Sequence, residues 1–172
     1  VSVLDLCCYT GGFSLNALRV GASRVIGVDT SEQAIAVARK NAELNGFSQD
    51  AYEFVRSPLD SYLEKLNGDQ KFGVVILDPP KLAGSKKGKH DALRAYFRIN
   101  ELALRVVTKG GVFVSCSCSG QIDQKDFVSM LSSVARRLKR TFQVLEMRGQ
   151  ASDHPFALAC PESNYLKCII GR

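Results

Sequence analysis

Residues 3–13 read Val3-Leu4-Asp5-Leu6-Cys7-Cys8-Tyr9-Thr10-Gly11-Gly12-Phe13, an apolar strand followed by a glycine turn and the start of a helix. Such a turn lets the backbone approach a ligand closely, because glycine has no side chain in the way. The dinucleotide fingerprint G-x-G-x-x-G is absent, since Gly11 and Gly12 are adjacent and no third glycine follows in step. The stretch therefore predicts either a site for a nucleoside cofactor that lacks a pyrophosphate or an ordinary tight turn.

Strand-like and helix-like segments alternate outward from this unit, which favours an α/β fold with a parallel sheet. The last two strands are joined by a loop near residues 148–163, and a connection without a helix permits an antiparallel pair. This layout resembles a Rossmann-like class I methyltransferase, with a mostly parallel seven-stranded sheet, an antiparallel C-terminal strand pair and helices on both faces. Strands are predicted near residues 2–8, 24–28, 52–55, 72–77, 111–116, 141–147 and 164–170, and helices near 12–20, 31–45, 59–67, 91–108 and 123–139.

Several local signals mark the ends and faces of the helices. Thr30 with Gln33 predicts a capping box, and Gly46 after Asn45 predicts a helix stop. The helix at 123–139 is predicted to bury one apolar face, which carries Phe127, Met130, Leu131, Val134 and Leu138.

Length and composition indicate one globular domain over residues 1–172. The sequence contains no apolar run of membrane-spanning length and no signal-peptide pattern, so no membrane partner is expected. The chain starts at Val1 rather than Met, and the first strand follows almost at once, which suggests a fragment of a longer protein.

The six cysteines do not form a zinc pattern, because no C-x-x-C occurs and the two histidines are His90 and His154. We therefore expect that the protein binds no metal, that its thiols are reduced and that it is located in the cytoplasm. Cys7, Cys8 and Cys116 are interpreted as core thiols within strands.

The net charge of +6 comes in part from two basic groups, and RNA is a sensible polyanionic partner for such groups. The first group follows the fourth predicted strand, where an RNA contact and a solvated face are about equally expected. For the second group a solvated helix face is favoured. The groups are Lys81, Lys86, Lys87, Lys89, Arg94 and Arg98, and Arg136, Arg137, Lys139 and Arg140.

Polar side chains follow three predicted strands, and ligands bind beyond the carboxyl ends of strands in an open parallel sheet. Asp29 follows the second strand and is a candidate acceptor for a ribose diol, or else a cap of the next helix. Asp78 opens the segment Asp78-Pro79-Pro80-Lys81 after the fourth strand. Cys118 lies in Ser117-Cys118-Ser119-Gly120 after the fifth. An acid and a thiol over one crevice suit covalent chemistry on an electron-poor ring.

These residues resemble those of the bacterial large-subunit ribosomal RNA 5-methylcytosine methyltransferases, over essentially the whole chain. The resemblance implies an S-adenosylmethionine-dependent enzyme that methylates carbon 5 of a cytosine in ribosomal RNA. It also implies an amino-terminal RNA-binding region of PUA type outside this sequence. The matching segments are Tyr9-Thr10-Gly11-Gly12-Phe13, Val28-Asp29-Thr30-Ser31, Ala42-Glu43-Leu44-Asn45, Glu53-Phe54-Val55-Arg56, Asp78-Pro79-Pro80-Lys81, Ser117-Cys118-Ser119-Gly120, Asp153-His154-Pro155 and Tyr165-Leu166-Lys167.

Methylation at carbon 5 requires a nucleophile, because that carbon is unreactive until a thiolate adds to carbon 6. Cys118 is the expected nucleophile, with Asp78 holding the cytosine edge. A thiol with a pKa of ~8.5 needs activation, to which Lys81 is a candidate contributor. Expected cofactor contacts are Tyr9, Thr10, Gly11, Gly12, Phe13, Asp29, Thr30, Ser57 and Asp78, and expected substrate contacts are Pro79, Pro80, Lys81 and His154.

Two departures from related sequences qualify this assignment. Lys81 follows Pro80 where some RNA cytosine methyltransferases have a second cysteine, so another group must help to release the product. Ser57-Pro58 stands where related sequences often have an acid that binds the adenine amino group. Ser57 or Asp60 must therefore bind that group instead.

Three other functions stay open at this point. The chain could methylate a base nitrogen of RNA, although such enzymes need no cysteine, or carbon 5 of uracil by similar thiol chemistry. It could also be a noncatalytic RNA-binding module with the same fold. Cys118 would then be an inert thiol, Asp78 a turn acid and His154 part of a rigid turn.

Overall fold

A computed structural model describes residues 1–66, 70–82 and 88–172 of the chain. Seven strands form one sheet in the order β3-β2-β1-β4-β5-β7-β6. The strands are β1 (Ser2–Leu6), β2 (Arg24–Asp29), β3 (Tyr52–Arg56), β4 (Phe72–Leu77), β5 (Val107–Ser117), β6 (Val144–Arg148) and β7 (Lys167–Gly171). The helices are α1 (Gly12–Arg19), α2 (Glu32–Leu44), α3 (Leu59–Lys65), α4 (Lys89–Arg105) and α5 (Gln124–Arg137), with short 3-10 turns at Gln49–Ala51 and Pro161–Ser163.

The sheet is parallel from β3 to β5, and β7 runs antiparallel to both β5 and β6. The predicted Rossmann-like architecture with its antiparallel C-terminal pair is confirmed. The carboxyl ends of β1, β2, β4 and β5 consequently meet along one edge of the sheet.

Alternate residues of the central strands point to opposite faces, and helices cover both faces. Leu4, Leu6 and Leu77 belong to a large cluster with residues of α3, α4 and α5, including Leu63, Tyr96, Phe127 and Val134. On the other face, Val3 and Val25 pack with Leu18 of α1, while Phe54 packs with Ile35 and Ala38 of α2. This two-sided core explains why the strands are apolar at nearly every position.

Some predicted helix signals are confirmed and one is wrong. Gly46 has φ +73° after α2, and its N–H donates to Glu43 O, so it stops the helix as predicted. The N-cap of α2, however, is Ser31, whose hydroxyl accepts from Ala34 N, rather than Thr30 in a capping box with Gln33. The capping box lies at α5, between Asp123 and Asp126.

Several predicted boundaries move. β5 begins at Val107 rather than near residue 111, β6 at Val144 rather than near 141, and β7 at Lys167 rather than near 164. The predicted fourth helix ends at Arg105 rather than near residue 108, because β5 already begins at Val107. The first strand ends at Leu6 rather than near residue 8, since Cys7 has a φ of 65° that a strand cannot continue. The predicted apolar face of α5 is confirmed, as Phe127, Met130, Leu131 and Val134 are buried.

Within the described ranges, no helix is both long enough and apolar enough to span a membrane. Lys86 and Lys87 of the first basic group, and residue 67 at the end of the predicted third helix, lie outside the described residues.

Candidate active site

A cavity of about 550 Å³ lies beyond the carboxyl ends of the parallel strands. Eight of the residues predicted for the site line it: Tyr9, Asp29, Thr30, Ser57, Asp78, Pro79, Pro80 and Cys118. Cys7, Val28, Leu59 and Leu166 complete the lining. The volume falls within the range typical of small-molecule and cofactor sites. The structure therefore brings the predicted cofactor acid, the proline-flanked acid and the thiol into one space.

The loop between β1 and α1 forms one wall through an unusual backbone path. Cys7 and Tyr9 have φ values of 65° and 49°, and the N–H groups of Cys7 and Cys8 both donate to Val28 O. This turn holds the loop against the end of β2. Cys7 therefore lines the cavity and is not the core strand residue that the sequence indicated, whereas Cys8 is buried as expected.

Gly11 serves the packing beneath the loop. It has φ +85°, and a Cβ at this position would lie 3.2 Å from Phe54 Cζ and 3.3 Å from Ala38 Cβ. The absent side chain thus makes room for the core. Thr10, Gly12 and Phe13 continue the loop into α1, and none of these four residues lines the cavity.

Asp29 joins the loop to the start of α2. Its Oδ2 accepts from Tyr9 N at 2.9 Å and its Oδ1 accepts from Ser31 N at 2.9 Å. A carboxylate has about four lone-pair sites, so each oxygen retains capacity for a ribose hydroxyl. Asp29 is therefore held in place by two backbone donors while it faces the cavity, and the cap of α2 is supplied by Ser31 instead.

Ser57 and Asp60 were the two candidates for the adenine side of the site. Ser57 lines the cavity, and its N–H donates to Asp29 O at 2.9 Å. Asp60 lies outside the lining and is 4.0 Å from Arg98 Nη2. Of the two, Ser57 is the residue in position to meet a ligand.

Asp5 is a buried acid of β1 that supports the loop and that the sequence patterns did not single out. It is fully buried in β1, and its Oδ2 accepts from Ser14 N at 3.0 Å and from Ser14 Oγ at 2.7 Å. The side chain ties β1 to the first turn of α1. An acid inside an otherwise apolar strand was the available signal.

Burial raises the pKa of Asp5 from 3.8 to about 6, against the lowering effect of the Ser14 hydrogen bonds. Because the folded pKa exceeds the unfolded one, the stability that Asp5 contributes is complete below about pH 4 and is lost as the pH rises through 6. The difference between 3.8 and about 6 corresponds to roughly 3 kcal/mol. We expect the unfolding free energy of the native protein, minus that of Asp5→Asn, to fall by this amount from about pH 4 to about pH 7.

Urea denaturation of both proteins at each pH measures this difference. Asp50→Asn, at an exposed position in the 3-10 turn, is the matched control and should show no such fall. Parallel stability curves for the native protein and Asp5→Asn would contradict the assignment.

Asp78 and Cys118 both line the other half of the cavity. Asp78 follows β4, its N–H donates to Leu6 O at 3.3 Å, and burial raises the pKa of its carboxyl. Cys118 follows β5, and its Sγ lies 3.9 Å from Pro79 O. The residue next to the acid therefore contacts the thiol through its backbone carbonyl.

Burial also raises the pKa of the Cys118 thiol, and Asp78 acts in the same direction. A hydrogen bond from the backbone and the charges of Lys167 and Lys81 act in the opposite direction. The thiol and the acid are therefore both biased toward their protonated forms in the free protein. A substrate that accepts a hydrogen bond from Asp78 would favour the protonated, neutral form of that carboxyl. The negative charge that raises the pKa of Cys118 would then be reduced.

Lys81 and His154 are the two predicted substrate residues outside the lining. Lys81 is exposed beside the cavity, next to Pro80. His154 is exposed in the loop between β6 and β7, and its Nε2 lies 2.5 Å from Tyr165 Oη. The same loop supplies Leu166 to the lining, whereas His154 does not line the cavity.

The remaining cysteines are free thiols. Cys116 pairs with Cys168 across β5 and β7, and the hydrogen bond to Cys168, together with burial, raises the pKa of Cys116. Cys116 is therefore a core thiol, as expected. In the described part of the chain, no cluster of three or more His, Cys, Asp or Glu side chains could hold a metal ion.

Much of the basic charge is paired within the protein. Lys89 pairs with Asp126, and Arg98 lies 3.2 Å from Glu64. In the second group, Arg137 lies 2.9 Å from Glu101, and Arg140 donates to the carbonyl oxygens of Leu104, Val107 and Thr108. Arg140 thus anchors the turn between α4 and β5 to the end of α5.

Comparison with known sequences places these features in context. The family described as "Methyltransferase domain" matches residues 1–163. The chain is 45% identical over 174 residues to the ribosomal RNA large subunit methyltransferase I of Aeromonas hydrophila, covering 99% of this chain and 43% of that protein. It is 43% identical over 166 residues to the protein of the same name from Photobacterium profundum, covering 96% and 42%. The chain therefore spans less than half the length of these curated relatives.

Solved structures with the same fold are more distant in sequence. The crystal structure of SMU.776 complexed with SAH superposes with a TM-score of 0.86 at 21% identity, covering 99% of this chain and 45% of that one. TrmN from Thermus thermophilus superposes with a TM-score of 0.67 at 18% identity, covering 99% and 43%. At these identities the likeness concerns the fold alone.

Proposed function

Because this chain belongs to the methyltransferase-domain family, we propose that it methylates carbon 5 of a cytosine in large-subunit ribosomal RNA, with S-adenosylmethionine as methyl donor. The observation that carries the proposal is the shared cavity of Asp29, Asp78 and Cys118. Similarity to proteins named as ribosomal RNA large subunit methyltransferases supports the RNA substrate. A thiol in that cavity supports carbon rather than nitrogen as the methylated atom.

S-adenosylmethionine fits the half of the cavity formed by Tyr9, Asp29, Thr30 and Ser57. Asp29 offers free lone pairs to the ribose diol while two backbone N–H groups hold it in place. The loop of Cys7 and Tyr9 supplies part of the wall of this half, and Asp78 and Cys118 belong to the rest of the lining. When bound, the cofactor supplies an electrophilic methyl group.

Cys118 supplies the nucleophile in the other half of the cavity. Its thiolate adds to carbon 6 of the cytosine, which moves the electron pair of the 5,6 double bond to carbon 5. Asp78, in its protonated form, donates to ring nitrogen 3 and disperses the charge that develops on the ring. Methyl transfer to carbon 5 would release S-adenosylhomocysteine, and water in the open cavity would take the carbon 5 proton. The bond between carbon 6 and sulfur then breaks and restores the thiolate, while ring nitrogen 3 returns its proton to the Asp78 carboxylate.

The target base must leave its stack to reach a thiol at the bottom of this crevice, at a cost of a few kcal/mol. Exposed Lys81 follows Pro80 of the lining, and Tyr165, the partner of exposed His154, precedes Leu166 of the lining. We propose that a flipped nucleotide enters past these residues. We assign Pro79, Pro80, Lys81 and His154 to the substrate side. The proline pair supports the base, and Lys81 contacts the phosphate backbone.

We propose that this domain belongs to a longer protein, because the chain spans only 43% and 42% of the length of the two relatives. We propose an amino-terminal RNA-binding region in that longer protein and a cytoplasmic site of action. The 1–172 segment forms the catalytic domain. Experiments on RNA should therefore use the full-length protein beside this chain.

Analysis of the methylated nucleoside tests the proposed function directly. The full-length protein is incubated with unmodified large-subunit ribosomal RNA and labelled S-adenosylmethionine, and the digested RNA is examined by mass spectrometry. We expect 5-methylcytidine. A product of 5-methyluridine or of an N-methylated base would assign one of the other methyltransferase activities, and RNA binding without any methyl transfer would indicate a noncatalytic module.

Asp29 provides a second test, on the cofactor side. We expect Asp29→Ala to raise the Kd for S-adenosylmethionine about 10- to 100-fold, since hydrogen bonds to a charged group are worth roughly 1.5–3 kcal/mol. Isothermal titration calorimetry measures the Kd. Asp50→Ala, at an exposed position outside the cavity, should bind like the native protein. An unchanged Kd for Asp29→Ala would show that the ribose is held elsewhere.

A further inference from the structure

A buried lysine lies beside the segment that carries the proposed nucleophile. Lys167 is the first residue of β7 and pairs in register with Ser117 of β5, one residue before Cys118. The residue is 8% exposed, and its Nζ donates to Ser119 O at 2.5 Å and to Tyr165 O at 2.7 Å. Burial of an ammonium group is costly unless it is hydrogen-bonded, so a charge kept here calls for a reason.

The two acceptors connect the two sides of the site. Ser119 follows Cys118 directly, and Tyr165 precedes Leu166 of the cavity lining. The lysine therefore ties the segment that carries the thiol to the segment that supplies Leu166 to the cavity. Both acceptors are neutral carbonyl oxygens, so the positive charge of Lys167 is not cancelled by them.

Several charged and titratable groups surround Cys118. Asp78 acts to raise the pKa of the thiol, whereas Lys167 and Lys81 act to lower it. The hydrogen bond to Cys168 raises the pKa of Cys116 and burial raises the pKa of Tyr96, and Cys118 adds to both shifts. Burial lowers the pKa of Lys167, whereas Cys118 and Asp123 favour its charged form. Lys81 is exposed and screened by solvent, whereas Lys167 is buried, so its charge acts through a less polarisable medium.

We propose that Lys167 is a positioning residue for Cys118, which fixes the loop through Ser119 O and stabilises the thiolate with its buried charge. When the S–H bond of Cys118 ionises, the proton leaves to water in the open cavity, and the negative sulfur stays beside the ammonium group. The inference rests on the proposed role of Cys118 and adds the group that makes this thiol reactive. The charge of Lys167 also offsets the charge of Asp78, which disfavours ionisation of Cys118.

Two substitutions separate the charge of Lys167 from its hydrogen bonds. Lys167→Gln keeps a donor for one carbonyl but removes the charge, and Lys167→Arg keeps the charge. Lys40→Gln, at an exposed position in α2, is the matched control. Binding of S-adenosylmethionine and a thermal unfolding transition establish that each variant is folded.

The main readout is the rate of Cys118 alkylation by iodoacetamide as a function of pH, with the modified peptide identified by mass spectrometry. We expect Lys167→Gln to lower this rate about tenfold at pH values below the thiol pKa, with recovery at higher pH. The kcat for methylation should fall in parallel at neutral pH. Lys167→Arg and Lys40→Gln should keep the native pH profile within about twofold.

The outcomes distinguish this inference from the proposed function. An unchanged alkylation profile in folded Lys167→Gln, with 5-methylcytidine still formed, overturns the role of Lys167 alone. A shifted profile in a protein that forms no 5-methylcytidine overturns the proposed function while the thiolate contact stands. If Lys167→Gln does not fold, Lys167→Met replaces it, because methionine keeps an unbranched apolar stem in the buried position without the charge. An alkylation rate about tenfold below the native one then supports the role of Lys167, and a native alkylation profile overturns it.

Discussion

Cys118→Ala is expected to abolish methyl transfer, with a fall in kcat/KM of at least about 10³-fold. The reason is that carbon 5 of cytosine attacks the methyl group only after a thiolate has added to carbon 6. Cys118 is the half-buried thiol at the end of β5 that faces Asp78 in the cavity. Binding of S-adenosylmethionine should change less than about threefold, since the cofactor half of the cavity lacks this residue.

Covalent trapping gives this prediction a second readout. RNA that carries 5-fluorocytosine cannot lose a proton from carbon 5, so the adduct between the enzyme and the base persists. We expect a stable, S-adenosylmethionine-dependent complex with the full-length protein that resists denaturing electrophoresis.

Cys116→Ala is the matched control, because Cys116 lies two residues earlier, is buried and does not line the cavity. It should form the adduct and retain most of the activity, whereas Cys118→Ala should form none. An adduct that survives the loss of Cys118 would move the nucleophile elsewhere. Cys7, the other thiol in the lining, would then be the next residue to replace, although burial raises its pKa to about 12.

Asp78→Asn is expected to lower kcat about 10²- to 10³-fold while changing the Kd for S-adenosylmethionine less than about tenfold. Asparagine matches the shape of the acid and can donate a hydrogen bond, but it cannot transfer a proton to ring nitrogen 3. Burial raises the pKa of Asp78, so the protonated form persists to a higher pH than for an exposed aspartate. Activity that requires this form declines as the pH rises through that pKa.

Single-turnover rates across a pH range check the role of Asp78. The native protein should show a loss of activity on the alkaline side of the Asp78 pKa, superimposed on a gain as Cys118 ionises. The residual rate of Asp78→Asn should show only the gain in rate that accompanies ionisation of Cys118. Asp91→Asn, at an exposed position in the first turn of α4, should match the native profile. A native kcat in Asp78→Asn would exclude proton donation by this residue.

The order of the elements and the edge of the sheet that carries the site follow from local patterns in the sequence. Apolar strands alternate with amphipathic helices, and a right-handed crossover between parallel strands leaves few ways to stack them. The side chains that follow the strands, Asp29, Asp78 and Cys118, must then meet at the carboxyl edge. This is why local periodicity sufficed to predict that they share one cavity.

Which side chains in these segments face the cavity depends on tertiary contacts. The positive φ at Cys7 turns that residue from the core into the cavity lining, and the absent side chain of Gly11 makes room for Phe54. Asp5 and Lys167 became visible as buried charges because their partners, Ser14 and Ser119, are 9 and 48 residues away in the chain. Burial, strand register and backbone direction arise from contacts between distant segments, and these contacts set the electrostatic environment of the thiol.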